Sequence, residues 1–182
     1  QMVAKGWDLP QVSLIGVILA DQSLYFPDFR AGERTFQLLT QVAGRAGRRK
    51  LPGRVLIQTY TPDNFYIQSA SQHNYQRFYR EEISQRKTYH YPPFCQLAKL
   101  TYSHSDAKKA YRAVLDLKDQ LDREALTSAE SFQTIGPVPA FIPRLNNKYY
   151  YHLLIKGASI PRHLLKGLSH DWVVDVEPLD LL

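Results

Sequence analysis

Cysteine is nearly absent from this sequence, with Cys95 alone among 182 residues. A single thiol cannot form an internal disulfide, and a structural zinc site usually takes four Cys or His ligands. The six histidines are scattered, and no two of them stand at metal-ligand spacing beside supporting carboxylates. We therefore expect no metal site in this chain and a reducing, cytoplasmic setting.

Long apolar runs are also lacking. No stretch approaches the ~20 apolar residues that a membrane span needs, and the start has no charged segment followed by the apolar core of a secretory signal. We expect no membrane partner. The first residue is Gln rather than an initiator Met, which we interpret as the mark of a fragment of a longer protein.

Apolar and basic residues are present in sufficient number to define the broad class. The chain is 44% hydrophobic, with 12 Tyr and 8 Phe, and carries a net charge of +6. This composition supports a buried core in one or two domains. The positive charge fits a polyanion partner such as nucleic acid without requiring one, because Lys and Arg side chains also simply face water.

The first part of the chain has the pattern of a βαβ unit. Residues 12–20 form a near-continuous, β-branched apolar run, which is typical of a strand covered on both faces. Residues 32–43 have helical spacing and end at Gly44, and residues 54–60 form a second strand candidate. We predict two parallel strands joined by a crossover helix.

The rest of the chain indicates a second, smaller α/β domain after a polar helix at 71–87 and the helix-breaking segment His90-Tyr-Pro-Pro93. The predicted elements are a strand at 95–102, an amphipathic helix at 106–126, a short strand at 132–136 stopped by Gly136-Pro-Val-Pro139, a Tyr-rich strand at 148–156, a short helix at 161–168 and a strand at Trp172–Val176. We divide the chain into 1–70, a connecting helix and linker at 71–90, and a domain at 91–182.

The segment 41–48, QVAGRAGR, carries the clearest chemistry. Gln41 falls in the last helical turn, and Arg45 and Arg48 follow beside glycines that permit a close backbone approach. A planar guanidinium suits a phosphoryl oxygen, and such arginines stabilise charge during phosphoryl transfer. The alternative is a solvated basic turn, since cations favour a helix C-terminus anyway.

This segment resembles motif VI of superfamily 2 helicases, Gln-x-x-Gly-Arg-x-Gly-Arg, at all of its fixed positions. Residues 1–8, QMVAKGWD, resemble motif V as it occurs in primosomal helicases. The remaining signatures are Asp28-Phe-Arg30 followed by Glu33-Arg34, GPVPA at 136–140 and DVEP at 175–178. Together they resemble DNA helicases of the PriA type along the whole chain, whereas a RecG-like helicase lacks the C-terminal signatures.

The resemblance implies an α/β fold, with a partial RecA-like helicase lobe followed by a small α/β C-terminal domain. It also implies roles. Arg48 matches the arginine finger, Arg45 its partner on the γ-phosphate, and Gln41 the coupling residue at the lobe interface. The expected ATP-site positions are Gly6, Asp8 and Gly44. Lys5 is a candidate DNA-backbone contact, with an ordinary surface lysine as the alternative.

The Tyr-rich strand is the candidate DNA contact of the second domain. Alternation places Tyr149 and Tyr151 on one face, where they would either stack on bases or pack in the core. Basic residues nearby would contact phosphates: Arg144, Lys148, Lys156 and Arg162. The family often has interleaved arginines where this chain has Lys148-Tyr-Tyr-Tyr-His152, so the match is weaker here.

The resemblance further implies an ATP- and Mg²⁺-dependent 3′–5′ DNA helicase that acts on branched DNA at stalled forks and on single strands. Its implied partners are other primosome proteins and single-stranded DNA-binding protein. The sequence shows neither a P-loop nor a Walker-B pair, and the family's zinc-binding cysteines are expected upstream of motif V. We therefore predict no ATPase activity from this fragment alone. The alternative is a stand-alone DNA- or protein-binding module.

Overall fold

The structure, a computed structural model, describes residues 12–46, 53–127 and 131–181. The chain is mixed α/β, with one parallel two-stranded sheet and one antiparallel four-stranded sheet, and this confirms the predicted fold class. It divides into two compact units, Gln1–Gln85 and Arg86–Leu182. Among the helices of the described residues, none is long and apolar enough to cross a membrane.

The first unit contains the predicted βαβ arrangement. Its elements are β1 (Leu14–Val17), a 3₁₀ helix (Ala20–Tyr25), α1 (Ala31–Ala43), β2 (Arg54–Ile57), α2 (Phe65–Ser71) and α3 (Tyr75–Thr88), the last of which continues past the unit boundary. β1 and β2 pair in parallel, from Leu14 opposite Arg54 to Val17 opposite Ile57, as predicted.

Aromatic stacking holds the core of the first unit together. Phe36 and Leu39 of α1 are buried, and the Phe36 ring stacks on that of Phe78 from α3 at 4.0 Å. The first strand departs from expectation, because Leu14 is 56% exposed and Ile18, which follows the strand, is 76% exposed. Within the described residues, the prediction that the first strand is covered on both faces is wrong.

The second unit is an antiparallel sheet with a long helix on one face. Its elements are β3 (Gln96–His104), α4 (Ala107–Thr127), β4 (Phe132–Leu145), β5 (Lys148–Gly157), α5 (Arg162–Leu165) and β6 (Trp172–Val176), in the strand order β4-β5-β3-β6. The predicted amphipathic helix is α4, and its apolar stripe is buried: Ala110, Val114, Leu117 and Leu121. It packs against Leu100, Leu153 and Ile155 of the sheet, forming the core.

β4 corrects the prediction of a short strand ending at Gly136. It continues to Leu145 with its prolines inside it. β4 is an edge strand, where a missing proline N–H costs no ladder hydrogen bond, and its register shifts between Ile135 and Val138. Gly136 lies at this shift with φ of 127°, and a Cβ there would approach the His152 carbonyl oxygen to 2.8 Å. A proline cluster therefore bends this strand without ending it.

A tight hairpin connects β4 to β5. Asn146 and Asn147 have φ values of 49° and 59°, the left-handed conformation that a two-residue type I′ turn requires and that Asn tolerates. The turn sets Leu145 opposite Lys148 and Arg144 opposite Tyr149. The turn chemistry therefore fixes which residues of the Tyr-rich strand meet basic side chains.

Candidate nucleic-acid interface and arginine segment

The arginine segment continues the end of α1 as a right-handed turn. The Gly44 amide donates to the Thr40 carbonyl at 3.0 Å, and the Arg45 amide donates to the Val42 carbonyl at 3.0 Å. Gly44 has φ of −67°, and a Cβ there would come no closer than 3.6 Å to other atoms. Neither the backbone conformation nor the neighbouring protein atoms therefore require glycine at position 44. The close approach predicted from the sequence would be that of a ligand to the Gly44 backbone.

The predicted residues of this segment are only partly within the described structure. Gln41 and Gly44 are exposed at the end of α1, and Arg45 is half-buried beside them. Four further predicted positions lie outside the described residues: Lys5, Gly6, Asp8 and Arg48. The structure thus places three of the predicted nucleotide-site residues together on one helix end.

The Asp-Phe-Arg signature has a structural role at the start of α1. The Asp28 side chain is fully buried and forms an ion pair with Arg34 at 3.0 Å, while its other oxygen accepts from the Arg30 amide at 2.9 Å. The Asp28 carbonyl accepts from the Ala31 amide at 3.0 Å, which begins the helix. These contacts fix the N-terminus of the helix whose other end carries Gln41.

Asp21 is a buried carboxylate that the sequence reading did not single out. It accepts hydrogen bonds from the Thr59 and Thr61 hydroxyls and from the Tyr60 amide. The hydroxyl hydrogen bonds come first among the causes that hold the pKa of Asp21 well below its usual range. Because Asp21 follows β1 and its partners follow β2, it joins the carboxyl ends of the two parallel strands.

A row of three side chains crosses the end of the antiparallel sheet, and we call it the sheet-end row. Tyr149 of β5 lies between Arg144 of β4 and His104 of β3 as their cross-strand partner. The Arg144 guanidinium carbon is 5.2 Å from the centre of the Tyr149 ring, a cation–π distance. Exposed Lys148 begins β5 beside this row. Basic and aromatic groups therefore alternate here.

The N-terminus of α4 lies next to the sheet-end row. The His104 ring accepts the Asp106 amide at Nδ1, at 2.9 Å. The Asp106 carboxylate accepts the Lys109 and Lys108 amides and so caps α4, and these backbone hydrogen bonds lower the pKa of Asp106. Sequence reasoning missed His104. The available signal was an N-cap aspartate directly after a strand.

Tyr151 shares a face with Tyr149 but differs in its surroundings. It is half-buried against the core, and its ring meets that of Tyr111 from α4 edge-on, with centroids 5.6 Å apart. Its cross-strand neighbour Tyr102 packs on Trp172 at 5.0 Å. Tyr149 therefore lies at the tip of the sheet, whereas Tyr151 packs at the edge of the core. Core packing was one of the two alternatives that the sequence left open for these tyrosines.

The remaining predicted phosphate contacts are not part of the sheet-end row. Arg162 begins α5, after the far end of β5, and the ten residues from Lys148 to Gly157 span roughly 30 Å at ~3.3 Å per residue. Lys156 is buried, and its ammonium donates to the Tyr89 carbonyl and lies 4.1 Å from the Tyr91 ring centre. The structure thus groups Arg144 and Lys148 only.

A metal centre requires several ligand side chains close together. Within 12–46, 53–127 and 131–181, no three His, Cys, Asp or Glu side chains are grouped so that they could hold a metal ion. The Cys95 thiol instead donates to the His90 carbonyl at 2.7 Å, and burial raises its pKa. Within the described residues, the candidate functional groups are therefore the sheet-end row and the arginine-bearing end of α1.

Basic and aromatic side chains grouped at a sheet end beside a helix N-terminus are typical of the class of nucleic-acid-binding α/β proteins. Residues 87–179, half of the chain, match the family described as "Primosomal protein N C-terminal domain". The chain belongs to this family, which confirms the resemblance read from its motifs.

Proteins named "Replication restart protein PriA" are similar to the chain. The one from Bacillus subtilis (strain 168) is 46% identical over 156 residues, covering 86% of this chain and 19% of the relative. That from Synechocystis is 39% identical over 192 residues, covering 100% and 22%. That from Thermotoga maritima is 29% identical over 184 residues, covering 98% and 24%. The chain thus spans about a fifth of the length of these relatives.

Proposed function

We propose that this chain acts in replication restart as part of an ATP-dependent 3′–5′ DNA helicase. It supplies the arginine side of the ATP site and a C-terminal DNA-binding surface. The observation that carries the proposal is the extent of the similarity. The match to the Synechocystis replication restart protein covers the whole chain, so the QVAGRAGR helix end and the sheet-end row correspond to parts of one restart protein.

The proposed chemistry of the first unit is charge stabilisation during phosphoryl transfer. Arg48 acts as the arginine finger and Arg45 contacts the γ-phosphate, while Gln41 couples the nucleotide state to the lobe interface. Gly6, Asp8 and Gly44 line the nucleotide site. In the full-length protein, ATP would supply the transferred phosphoryl group and Mg²⁺ would neutralise part of its charge. We assign the groups that hold ATP and Mg²⁺, and the zinc of the family, to other parts of the full-length protein.

The proposed chemistry of the second unit is recognition of unpaired DNA. Arg144 and Lys148 neutralise backbone phosphates, and Tyr149 stacks on a base, a contact worth ~1–3 kcal/mol. Lys5 adds a backbone contact from the helicase lobe. This arrangement suits a protein that meets branched forks and single strands. Its other partners are then primosome proteins and single-stranded DNA-binding protein, at the chromosome in the cytoplasm.

The test compares ATP hydrolysis and DNA binding in matched variants. In a full-length family member carrying this sequence, Arg45→Ala or Arg48→Ala should lower DNA-stimulated ATP hydrolysis by ~10³-fold or more. Arg80→Ala, an exposed arginine on α3, serves as the control. The 182-residue chain with the same two substitutions should still bind single-stranded DNA.

The opposite pattern favours a different function. If Arg45→Ala and Arg48→Ala weaken DNA binding by the 182-residue chain but leave hydrolysis by the full-length protein intact, the chain is a DNA-binding module whose arginines contact phosphate. Hydrolysis of ATP by the pure chain, stimulated by DNA, would also contradict the proposal, since the P-loop side of the site would then be dispensable.

A further inference from the structure

An open groove of about 670 Å³ lies between the N-terminal half of α4 and the edge of the core. Its apolar lining is Tyr111, Leu115 and Tyr151, and its rim carries Lys108, Lys109 and Arg112. The sheet-end row lies on the same face of the sheet, because Tyr149 and Tyr151 are two residues apart on β5. At ~3.4 Å per residue their Cα atoms are about 7 Å apart. We call this the α4 groove.

We propose that the α4 groove receives an unpaired base of single-stranded DNA, stacked on Tyr111, while Lys108 and Lys109 hold the backbone. This inference rests on the proposed function, because it extends DNA binding from the sheet-end row across the N-terminus of α4. The groove adds a second aromatic contact, Tyr111, and two cations, Lys108 and Lys109. None of these three residues is among the DNA contacts predicted from the sequence.

The orientation of Tyr111 favours stacking. Its ring meets Tyr151 edge-on at 70°, which holds it in place against the core, yet the residue stays 43% exposed. A base can therefore stack on it without a large loss of side-chain freedom. A positioned aromatic ring with a basic flank is the arrangement that sequence-tolerant single-strand binding uses, since every base presents a π face.

The charges around the groove favour a polyanion. Lys108 and Lys109 lie in the first turn of α4, where the helix dipole adds positive potential. The nearby carboxylate of Asp106 is engaged by their own backbone amides. Arg112 contributes less, because it forms an ion pair with Asp116 at 3.3 Å. The two lysines therefore provide the main attraction for phosphates.

The alternation of groups favours a DNA strand over an acidic peptide. Along one face, the order runs from Arg144 and Tyr149 in the sheet-end row to Tyr111 and Lys108 in the groove. In this order, the two basic side chains can contact phosphates and the two tyrosine rings can stack on successive bases of one strand. An acidic peptide remains the competing occupant that the experiment has to separate.

The experiment measures oligothymidine binding by the 182-residue chain through fluorescence anisotropy over a salt series. Tyr111→Ala should weaken binding roughly 5- to 150-fold, the loss of one stacked base, and Tyr111→Phe should restore most of it. Lys108→Gln should reduce the slope of log affinity against log salt by about 0.7. Lys87→Gln, an exposed lysine on α3, is the charge-matched control and should change neither quantity.

A second variant guards against a folding artefact. Tyr111→Leu keeps an apolar contact for Tyr151 but has no π face, so it should bind oligothymidine as weakly as Tyr111→Ala while melting like the parent chain. Binding retained by Tyr111→Leu would overturn the stacking proposal. A photocrosslink from 4-thiothymidine to the segment containing Tyr111 would support it.

The outcomes separate this inference from the proposed function. If Tyr149→Ala and Arg144→Ala weaken binding but the Tyr111 and Lys108 variants do not, the groove proposal fails and the sheet-end row stands. If none of them weakens binding, both fail. If an oligoglutamate peptide binds more tightly than oligothymidine and depends on Tyr111, the groove is a peptide-docking site and the proposal is overturned.

Discussion

The Arg144 guanidinium carbon lies 5.2 Å from the ring centre of Tyr149, its cross-strand partner. Arg144 also donates to the side-chain oxygen of Asn147 in the hairpin turn, at 3.3 Å. A cation–π contact at an exposed site is worth ~0.5–1 kcal/mol, enough to bias the orientation of both side chains. The hairpin therefore positions an arginine and a tyrosine as one unit at the end of the sheet.

The first prediction concerns this pair. Arg144→Ala should weaken binding of the chain to single-stranded DNA and lower the salt slope by about 0.7, because one phosphate contact is lost. Arg144→Lys should keep the slope but lose part of the affinity, since Lys lacks the planar guanidinium. Anisotropy over a salt series measures both quantities. An unchanged slope in Arg144→Ala would mean that Arg144 contacts no phosphate.

The second prediction concerns the separation of Arg162 from Lys148. Lys148 begins β5, a strand that spans roughly 30 Å, and Arg162 begins α5 after the far end of that strand. Arg162→Gln should therefore leave unchanged the affinity for an oligonucleotide too short to span β5, and lower the affinity only for longer strands. Lys148→Gln should weaken both. Equal losses with short strands for the two variants would contradict this arrangement.

Local patterns were sufficient to predict the helices and the parallel pairing. The stripe on α4 recurs at helical spacing, and its four members, Ala110, Val114, Leu117 and Leu121, are all buried. β1, α1 and β2 follow one another in short succession, and that succession is itself the signal for a βαβ unit. In these elements the pattern within a single segment determines which side faces the core.

Patterns within single segments could not predict the sheet-end row. Arg144 meets Tyr149 because of an Asn-Asn turn, and His104 meets Tyr149 because of the antiparallel register of β3 and β5. Proline inside β4 looked like an end of the strand, and only its place at the sheet edge makes the proline harmless. Cross-strand register and edge position depend on the whole sheet, so single-segment reasoning could not predict them.

The third prediction concerns Gly32 at the start of α1. A Cβ there would lie 2.0 Å from Cζ of Tyr66, whose hydroxyl donates to buried Glu82 at 2.6 Å. Gly32→Ala should lower the free energy of unfolding by about 1–3 kcal/mol, because the ring has to move within a packed core. Gly44→Ala, where a Cβ has at least 3.6 Å, is the matched control on the same helix.

Chemical denaturation of the Gly32→Ala and Gly44→Ala chains measures this difference. Gly32→Ala should lower the free energy of unfolding by less in a Tyr66→Leu chain than in the parent chain, since the obstructing ring is gone. Additive effects of the two substitutions would show that the alanine and the tyrosine do not meet.

The fourth prediction concerns the pH dependence that Asp21 adds. Its pKa in the folded chain is held below the ordinary 3.8, first by the Thr59 hydroxyl and then by that of Thr61. A carboxylate with a lowered folded-state pKa stabilises the fold above its unfolded pKa, and this contribution is lost as the pH falls through the folded value. Asp21→Asn should therefore have a lower urea midpoint than the parent at neutral pH, and the gap should narrow below about pH 4.

Urea titrations of both chains from neutral pH to about pH 3 provide the measurement. Asp63→Asn, an exposed aspartate, is the charge-matched control and should show no such convergence. A gap that stays constant with pH would mean that the hydrogen bonds of Asp21 do not depend on its ionisation.

The fifth prediction concerns His152, which is 8% exposed on β5 and has Nδ1 2.8 Å from the Thr101 hydroxyl. Burial first, and then the positive charge of Lys99, lower its pKa from the ordinary 6.5. The unfolded chain therefore binds a proton at a higher pH than the folded chain. The resulting stability is complete above about pH 6.5 and declines as the pH falls towards the folded-state pKa.

His152→Gln should thus flatten the dependence of the urea midpoint on pH between about pH 7 and pH 5, because no proton is taken up at this position on unfolding. His170→Gln is the matched control, since the His170 side chain is 95% exposed and should leave the slope as it is in the parent. If the parent and His152→Gln lose stability equally over this range, the buried imidazole is not the group that couples protonation to unfolding.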